Sequence, residues 1–128
     1  MARNKTEGLT PLELEIMKVL WETGAANVNT VQGLLQRESA YTTVQTMLNV
    51  LHRKGKVKRT LKDKAYFYRP AVSRRTVVGQ TVKDLVNRMF DGSAESLVMN
   101  LIETKQITAE KISELNALLD EEADNGKN

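Results

Sequence analysis

The sequence predicts a mainly α-helical chain with one small β-hairpin, and three observations predict it. Apolar residues recur at helical spacing in six successive stretches, and capping residues stand at the head of most of them. Two short β-branched and aromatic runs flank a charged turn between the third and fourth stretches. Composition agrees, since 41% hydrophobic residues can build a core and 2 Pro with 7 Gly do not describe a disordered chain.

Thr10-Pro11-Leu12-Glu13 opens the first helix: Thr10 can cap, Pro11 gives up no needed N–H at the first position, and Glu13 can bond back to the cap. Leu9 and Leu14 make a hydrophobic staple across that start. Leu12, Ile16, Val19 and Leu20 continue at helical spacing beside Trp21, and Gly24 stops the helix, which spans about 11–23. Asn27 heads a second helix of about 28–37, with Val28, Val31, Leu34 and Leu35 inward and Gln32, Gln36 and Arg37 outward.

The third helix, from about Tyr41 to Lys54, divides into two faces. Val44, Met47, Leu48 and Leu51 make a core stripe; Thr42, Gln45, Thr46 and Asn49 make a second, polar stripe at the same spacing, extended by Arg53. Gly55 ends it. Lys56–Leu61 and Ala65–Arg69 then read as the strands of a hairpin around Lys62-Asp63-Lys64. Ser73 heads a fourth helix to about Asp91, carrying Val78, Val82, Leu85, Val86, Met89 and Phe90, with Gly92 beyond it. Ser93 heads a fifth with Leu97, Val98, Leu101 and Ile102, and Thr108 a sixth with Ile112, Leu115, Leu118 and Leu119, after which the acidic segment 120–124 is expected to fray.

Charge is divided along the chain. Residues 1–75 hold 14 Lys and Arg against 6 Asp and Glu, residues 76–128 hold 5 against 10, and residues 53–75 alone hold 10 cations against the single acid Asp63. The first part suits a polyanion and the second would be repelled by one. Three short helices followed by a hairpin is the order of a winged helix-turn-helix, in which the third helix lies in the major groove and the hairpin rests on the backbone. The fold class is therefore mainly α with a small β-hairpin, a winged helix-turn-helix over 9–72 followed by a helical dimerisation region over 73–122.

Thr42, Thr43, Gln45, Thr46 and Asn49 are the side chains expected to meet base edges of double-stranded DNA, with Gln45 suited to adenine and the threonine methyls to thymine. Arg53, Lys62 and Lys64 are expected to meet phosphates. In the acidic part, Val78, Val82, Leu85, Met89, Leu97, Leu101, Ile112, Leu115 and Leu118 give three apolar stripes on only 53 residues, more than a small neighbour covers, so a two-fold homodimer is expected to hide them.

Other functions fit less well. With no cysteine and one histidine, His52, the chain has no thiolate metal site or Cys nucleophile and little for an imidazole site; Ser/His/Asp arrangements, phosphate-cradling glycine loops and metal spacings are missing. Neither an enzyme nor any metal or cofactor is expected. Met1–Gly8 lacks the apolar core of a signal peptide and no apolar run spans a bilayer, so a cytoplasmic protein without direct membrane binding is expected. Two rivals are a winged helix used only for protein contacts, without base readout, and an RNA binder. Salt-dependent binding to duplex DNA separates the first from the leading reading. Against the second, Tyr66, Phe67 and Tyr68 are consecutive and lay out no alternating stacking platform.

The motifs Leu9–Trp21, Ala40–Leu48, Ala65–Pro70 and Phe90–Ser93, met in that order, resemble the penicillinase-repressor family (BlaI/MecI/CopY) over about residues 9–120. The resemblance implies a homodimeric repressor of antibiotic-resistance or related operons, with Thr42, Thr43, Gln45 and Thr46 reading the groove and the hairpin around Lys62 as the wing. Copper-responsive members carry a C-terminal cysteine cluster; this chain has none, so a copper switch is rejected. In β-lactam-responsive members a membrane sensor metalloprotease system relieves repression through cleavage between an Asn and an apolar residue. The matching pair is Asn100-Leu101, with Leu where the family pattern has Phe.

Overall fold

The computed structural model describes residues 8–126, so all of the opening segment searched for a leader except Gly8 lies outside the described residues. By its internal contacts the chain divides into two compact units between Val82 and Lys83. The first unit opens with α1 (Pro11–Thr23), α2 (Val28–Leu34) and α3 (Tyr41–Arg53), followed by β1 (Val57–Lys62) and β2 (Ala65–Pro70), paired antiparallel. α4 (Arg74–Met89) crosses the division, and α5 (Ala94–Glu103) and α6 (Ala109–Gly126) belong to the second unit.

Local signals set the helix starts. Thr10 Oγ1 accepts from the Glu13 N–H at 3.2 Å while Glu13 Oε1 accepts from the Thr10 N–H at 2.8 Å, a closed capping box with Pro11 at the first position. Asn27, Ser73, Ser93 and Thr108 each accept an N–H three residues on. At the far end of α1, Gly24 takes φ 87°, a conformation without Cβ penalty for glycine only, and its N–H closes on the Leu20 carbonyl.

The core of the first unit is contiguous. Ile16, Met17, Val19 and Leu20 from α1, Val28 and Val31 from α2, and Val44, Leu48 and Leu51 from α3 meet Val57 and Tyr68 of the hairpin. Ala26, between α1 and α2, exchanges both backbone hydrogen bonds with Tyr68 (2.9 and 2.8 Å), so the hairpin is stitched to the helices through backbone as well as side chains. Trp21 Nε1 donates to the Val72 carbonyl at 3.0 Å, fixing the exit from β2 against α1.

Glu13 has a second task. Its carboxylate is buried and accepts from Lys54 Nζ at 3.0 and 3.2 Å, joining the start of α1 to the end of α3. Removing it opens the capping box and strands a partly buried ammonium. Glu13→Ala is expected to cost about 2–3 kcal/mol of unfolding free energy, read from urea denaturation. A change under about 0.5 kcal/mol would mean that solvent replaces both contacts.

Several boundaries shift by one or two residues from the sequence reading, Lys62 among them, which ends β1 rather than opening the turn, and two differ by more. α2 stops at Leu34 rather than Arg37, because Leu35 is extended (φ −69°, ψ 141°) and side chains draw the following residues into a loop. Gln32 Nε2 donates to the Ser39 carbonyl, and Arg37 pairs with Glu15 at 2.6 Å. Leu34 is consequently exposed, while Leu35 packs on the core. The acidic segment expected to fray is helical, since α6 runs on to Gly126; its Glu and Ala residues are strong helix formers.

In the second unit no described side chain is buried. Leu97, Leu101, Ile102 and Ile112 are half-covered, and Leu85, Met89, Val98, Met99, Leu115, Leu118 and Leu119 are exposed.

Candidate nucleic-acid interface

α3 presents its polar stripe outward because its apolar stripe is pinned behind it. Val44, Leu48 and Leu51 are fully buried and Met47 is half-buried, whereas Thr42, Thr43, Gln45, Thr46, Asn49 and Arg53 are all exposed. Ala40, in an extended conformation, starts the helix and places Thr42 and Thr43 in its first turn. The result is a row of hydroxyl and amide groups, which both donate and accept, on a rigidly backed helix.

The hairpin follows at once, turned by Gly55 at φ 79°. Its connection is two residues long, Asp63 and Lys64, both with positive φ (51° and 67°), the backbone of a type I′ turn. Lys62 and Lys64 stand exposed at this tip. Of the cations between residues 53 and 75, Lys54 is the one held in an ion pair among the described residues. Lys58, Lys62, Lys64 and Arg69 are exposed.

The pairing register sorts the hairpin into faces. Val57↔Pro70, Arg59↔Tyr68 and Leu61↔Tyr66 share one face, buried at its root by Val57 and Tyr68 and open toward its tip at Leu61 and Tyr66. That face carries a junction with α3. Tyr68 Oη and Arg59 Nη1 both donate to Asn49 Oδ1 at 3.2 Å, and the Arg59 guanidinium lies 4.2 Å from the Tyr66 ring centroid. The opposite face has Arg69 Nη1 donating to Thr60 Oγ1 at 3.4 Å.

The structure thus brings Thr42, Thr43, Gln45, Thr46, Asn49 and Arg53 onto one exposed face of α3, with Lys62 and Lys64 together at the hairpin tip. Sequence reasoning missed Arg59, Tyr66 and Tyr68. Period-two alternation about a two-residue turn would have placed Tyr66 and Tyr68 opposite Leu61 and Arg59; the hydrogen bonds to Asn49 carry no sequence signal.

The residues read as dimer-forming lie apart from this face in the chain. Val78, Val82, Leu85, Met89, Leu115 and Leu118 are exposed on their helices, while Leu97, Leu101 and Ile112 are half-buried. Asn100 is exposed and Leu101 half-buried within α5. His52 is exposed on α3; among the described residues no group of His, Cys, Asp and Glu side chains could hold a metal ion, and no helix is long and apolar enough to cross a membrane.

Comparison with known proteins gives a consistent result. Residues 9–121 match the family model described as penicillinase repressor. The chain is 31% identical over 119 residues to the penicillinase repressor of Bacillus licheniformis, covering 91% of this chain and 93% of that one. It is 27% identical over 118 residues to the methicillin resistance regulatory protein MecI of Staphylococcus aureus strain N315, covering 91% and 96%. The solution structure of the DNA binding domain of the repressor BlaI is similar at a TM-score of 0.50 and 28% identity, covering 57% of this chain and 90% of that chain.

Proposed function

The chain belongs to the penicillinase repressor family, and from that premise we infer that it binds an operator in duplex DNA and represses transcription by occupying it. The observation that carries this reading is the α3 stripe from Thr42 to Arg53, exposed as a row of hydrogen-bonding side chains while Val44, Leu48 and Leu51 fix the helix from behind. A helix so mounted presents its N-terminal side chains to base edges in a major groove. In this reading Thr42, Thr43, Gln45 and Thr46 read bases, and Arg53, Lys62 and Lys64 hold phosphates. The repression involves no chemistry of its own, and the protein works in the cytoplasm, beside the chromosome. The relatives' names, penicillinase repressor and methicillin resistance regulatory protein, point to β-lactam resistance genes as the regulated class.

Base reading has a specific consequence at Gln45. Gln45→Ala is expected to cost about 1–3 kcal/mol per half-site and to blur preference at one base pair, measured by titrating operator duplexes substituted one position at a time. A loss equal across all sequences would remove Gln45 from base reading.

The repressor acts as a homodimer on a palindromic operator, with residues 9–72 as the reading domain and 73–122 as the pairing region. Support comes from the uncovered stripes: Met89 is 70% exposed, Leu118 59% and Leu115 44% in the single chain, a state that apolar side chains in three successive helices leave by pairing. Cleavage between Asn100 and Leu101 by a membrane sensor metalloprotease would cut this region in α5, where no side chain is buried and local unfolding costs little.

A further inference from the structure

Asn49 stands by spacing in the row of side chains expected to read bases, yet its geometry gives it another task. Arg59 Nη1 and Tyr68 Oη both reach its side-chain acceptor at 3.2 Å. A guanidinium only donates, so the atom it meets is the carbonyl oxygen, and two donors fill that oxygen's two lone pairs. An Asn that reads adenine must accept from the base N6–H with this oxygen while donating to N7. Asn49 cannot do so and keep both partners.

Those partners belong to the wing. Tyr68 is buried and its backbone is bonded in both directions to Ala26, so the position of its hydroxyl is fixed by the core. Arg59 faces Tyr68 across the hairpin and is held between the Asn49 amide and the Tyr66 ring, which confines a long, flexible side chain from two sides. One amide oxygen on the outer face of α3 therefore bridges to both strands of the hairpin, at a point between its buried root and its free tip.

We propose that Asn49 and Arg59 are positioning residues that lock the wing to the recognition helix, so that Lys62 and Lys64 meet backbone phosphates when α3 enters the groove. The proposal rests on the DNA-binding reading. Its distinctive consequence is that an uncharged residue on α3 governs the electrostatic part of binding. With the lock intact, both lysines engage in register with the helix. Without it the wing pivots about its root and each loses its phosphate for much of the time.

The test uses the full chain and compares Asn49→Ala, Arg59→Lys, the pair Lys62→Gln with Lys64→Gln, and Asn49→Ala combined with that pair. Each is titrated over a range of salt against the wild-type chain's preferred duplex and a scrambled one. Asn49→Ala removes no charge, yet it is expected to flatten the salt slope by about one to two units per subunit and to weaken both duplexes by on the order of tenfold, as the lysine pair does. Combining it with the lysine pair should add little. Arg59→Lys, which keeps the charge but loses the planar fork, should flatten the slope in the same way. An Asn49→Ala variant with an unchanged slope and a lost preference at one base pair would overturn the proposal in favour of direct reading, and an Arg59→Lys variant with wild-type slope would overturn the lock. Should Asn49→Ala not fold, Arg59→Lys decides alone, as its side chain lies outside the core. A wild-type chain with no salt-dependent affinity for any duplex would overturn the DNA-binding reading itself, a result distinct from every variant outcome.

Discussion

Truncation after Asn100 is expected to yield a folded winged helix of monomeric mass that binds a palindromic operator about 10²–10⁴-fold more weakly than the full chain. The fold of the remaining part is secure, since the contiguous core from Ile16 to Tyr68 lies wholly within the first unit and the wing exit is tied to α1 through Trp21 and Val72. The removed residues include Leu101, Ile112, Leu115 and Leu118, four of the five apolar side chains assigned to pairing in α5 and α6. A dimer converts capture of the second half-site into an intramolecular event, and the truncated chain must find it anew each time. Sedimentation and duplex titration measure the two effects together. A truncated chain that stayed dimeric and bound as tightly would place the pairing surface elsewhere.

Leu48→Ala is expected to be the most damaging single change to the winged helix itself. Leu48 is fully buried on the inner face of α3, opposite the polar stripe, and its loss removes the packing that backs that stripe. Leu→Ala in a packed core costs about 2–5 kcal/mol, a large share of the stability of a domain this small. Urea denaturation should show the midpoint fall with the slope unchanged. Where the variant is still folded it should keep wild-type base preference, because Thr42, Gln45 and Thr46 lie on the other face. A cost below about 1 kcal/mol would contradict the core assigned here.

Much of this architecture was legible in the sequence because its signals are local. Thr10, Asn27, Ser73, Ser93 and Thr108 cap the helices they head, and the two stripes of α3 separate into buried and exposed sides as their spacing requires. The family read from four motifs in order is also the one whose model matches residues 9–121. Illegible features depend on residues far apart in the chain. The Ala26–Tyr68 bridge joins an unremarkable alanine to a strand 42 positions away, and nothing in the spacing of Asn49 distinguishes it from Gln45 or Thr46. The early end of α2 is accompanied by a nearby bond from Gln32 to Ser39 and a distant one from Arg37 to Glu15, neither of which propensity foretells. For the interface, a face could be read from period alone, whereas the hydrogen bonds that tie Asn49 to Arg59 and Tyr68 are visible only in the third dimension.

Selection from a random duplex library with the full chain, repeated at two salt concentrations, tests sequence-specific binding by a dimer most directly. The expected result is an enriched inverted repeat whose half-sites lie about 34–36 Å apart or a multiple of that, with affinity falling steeply as salt rises. Recovery of no preferred sequence, at either salt concentration, would contradict it.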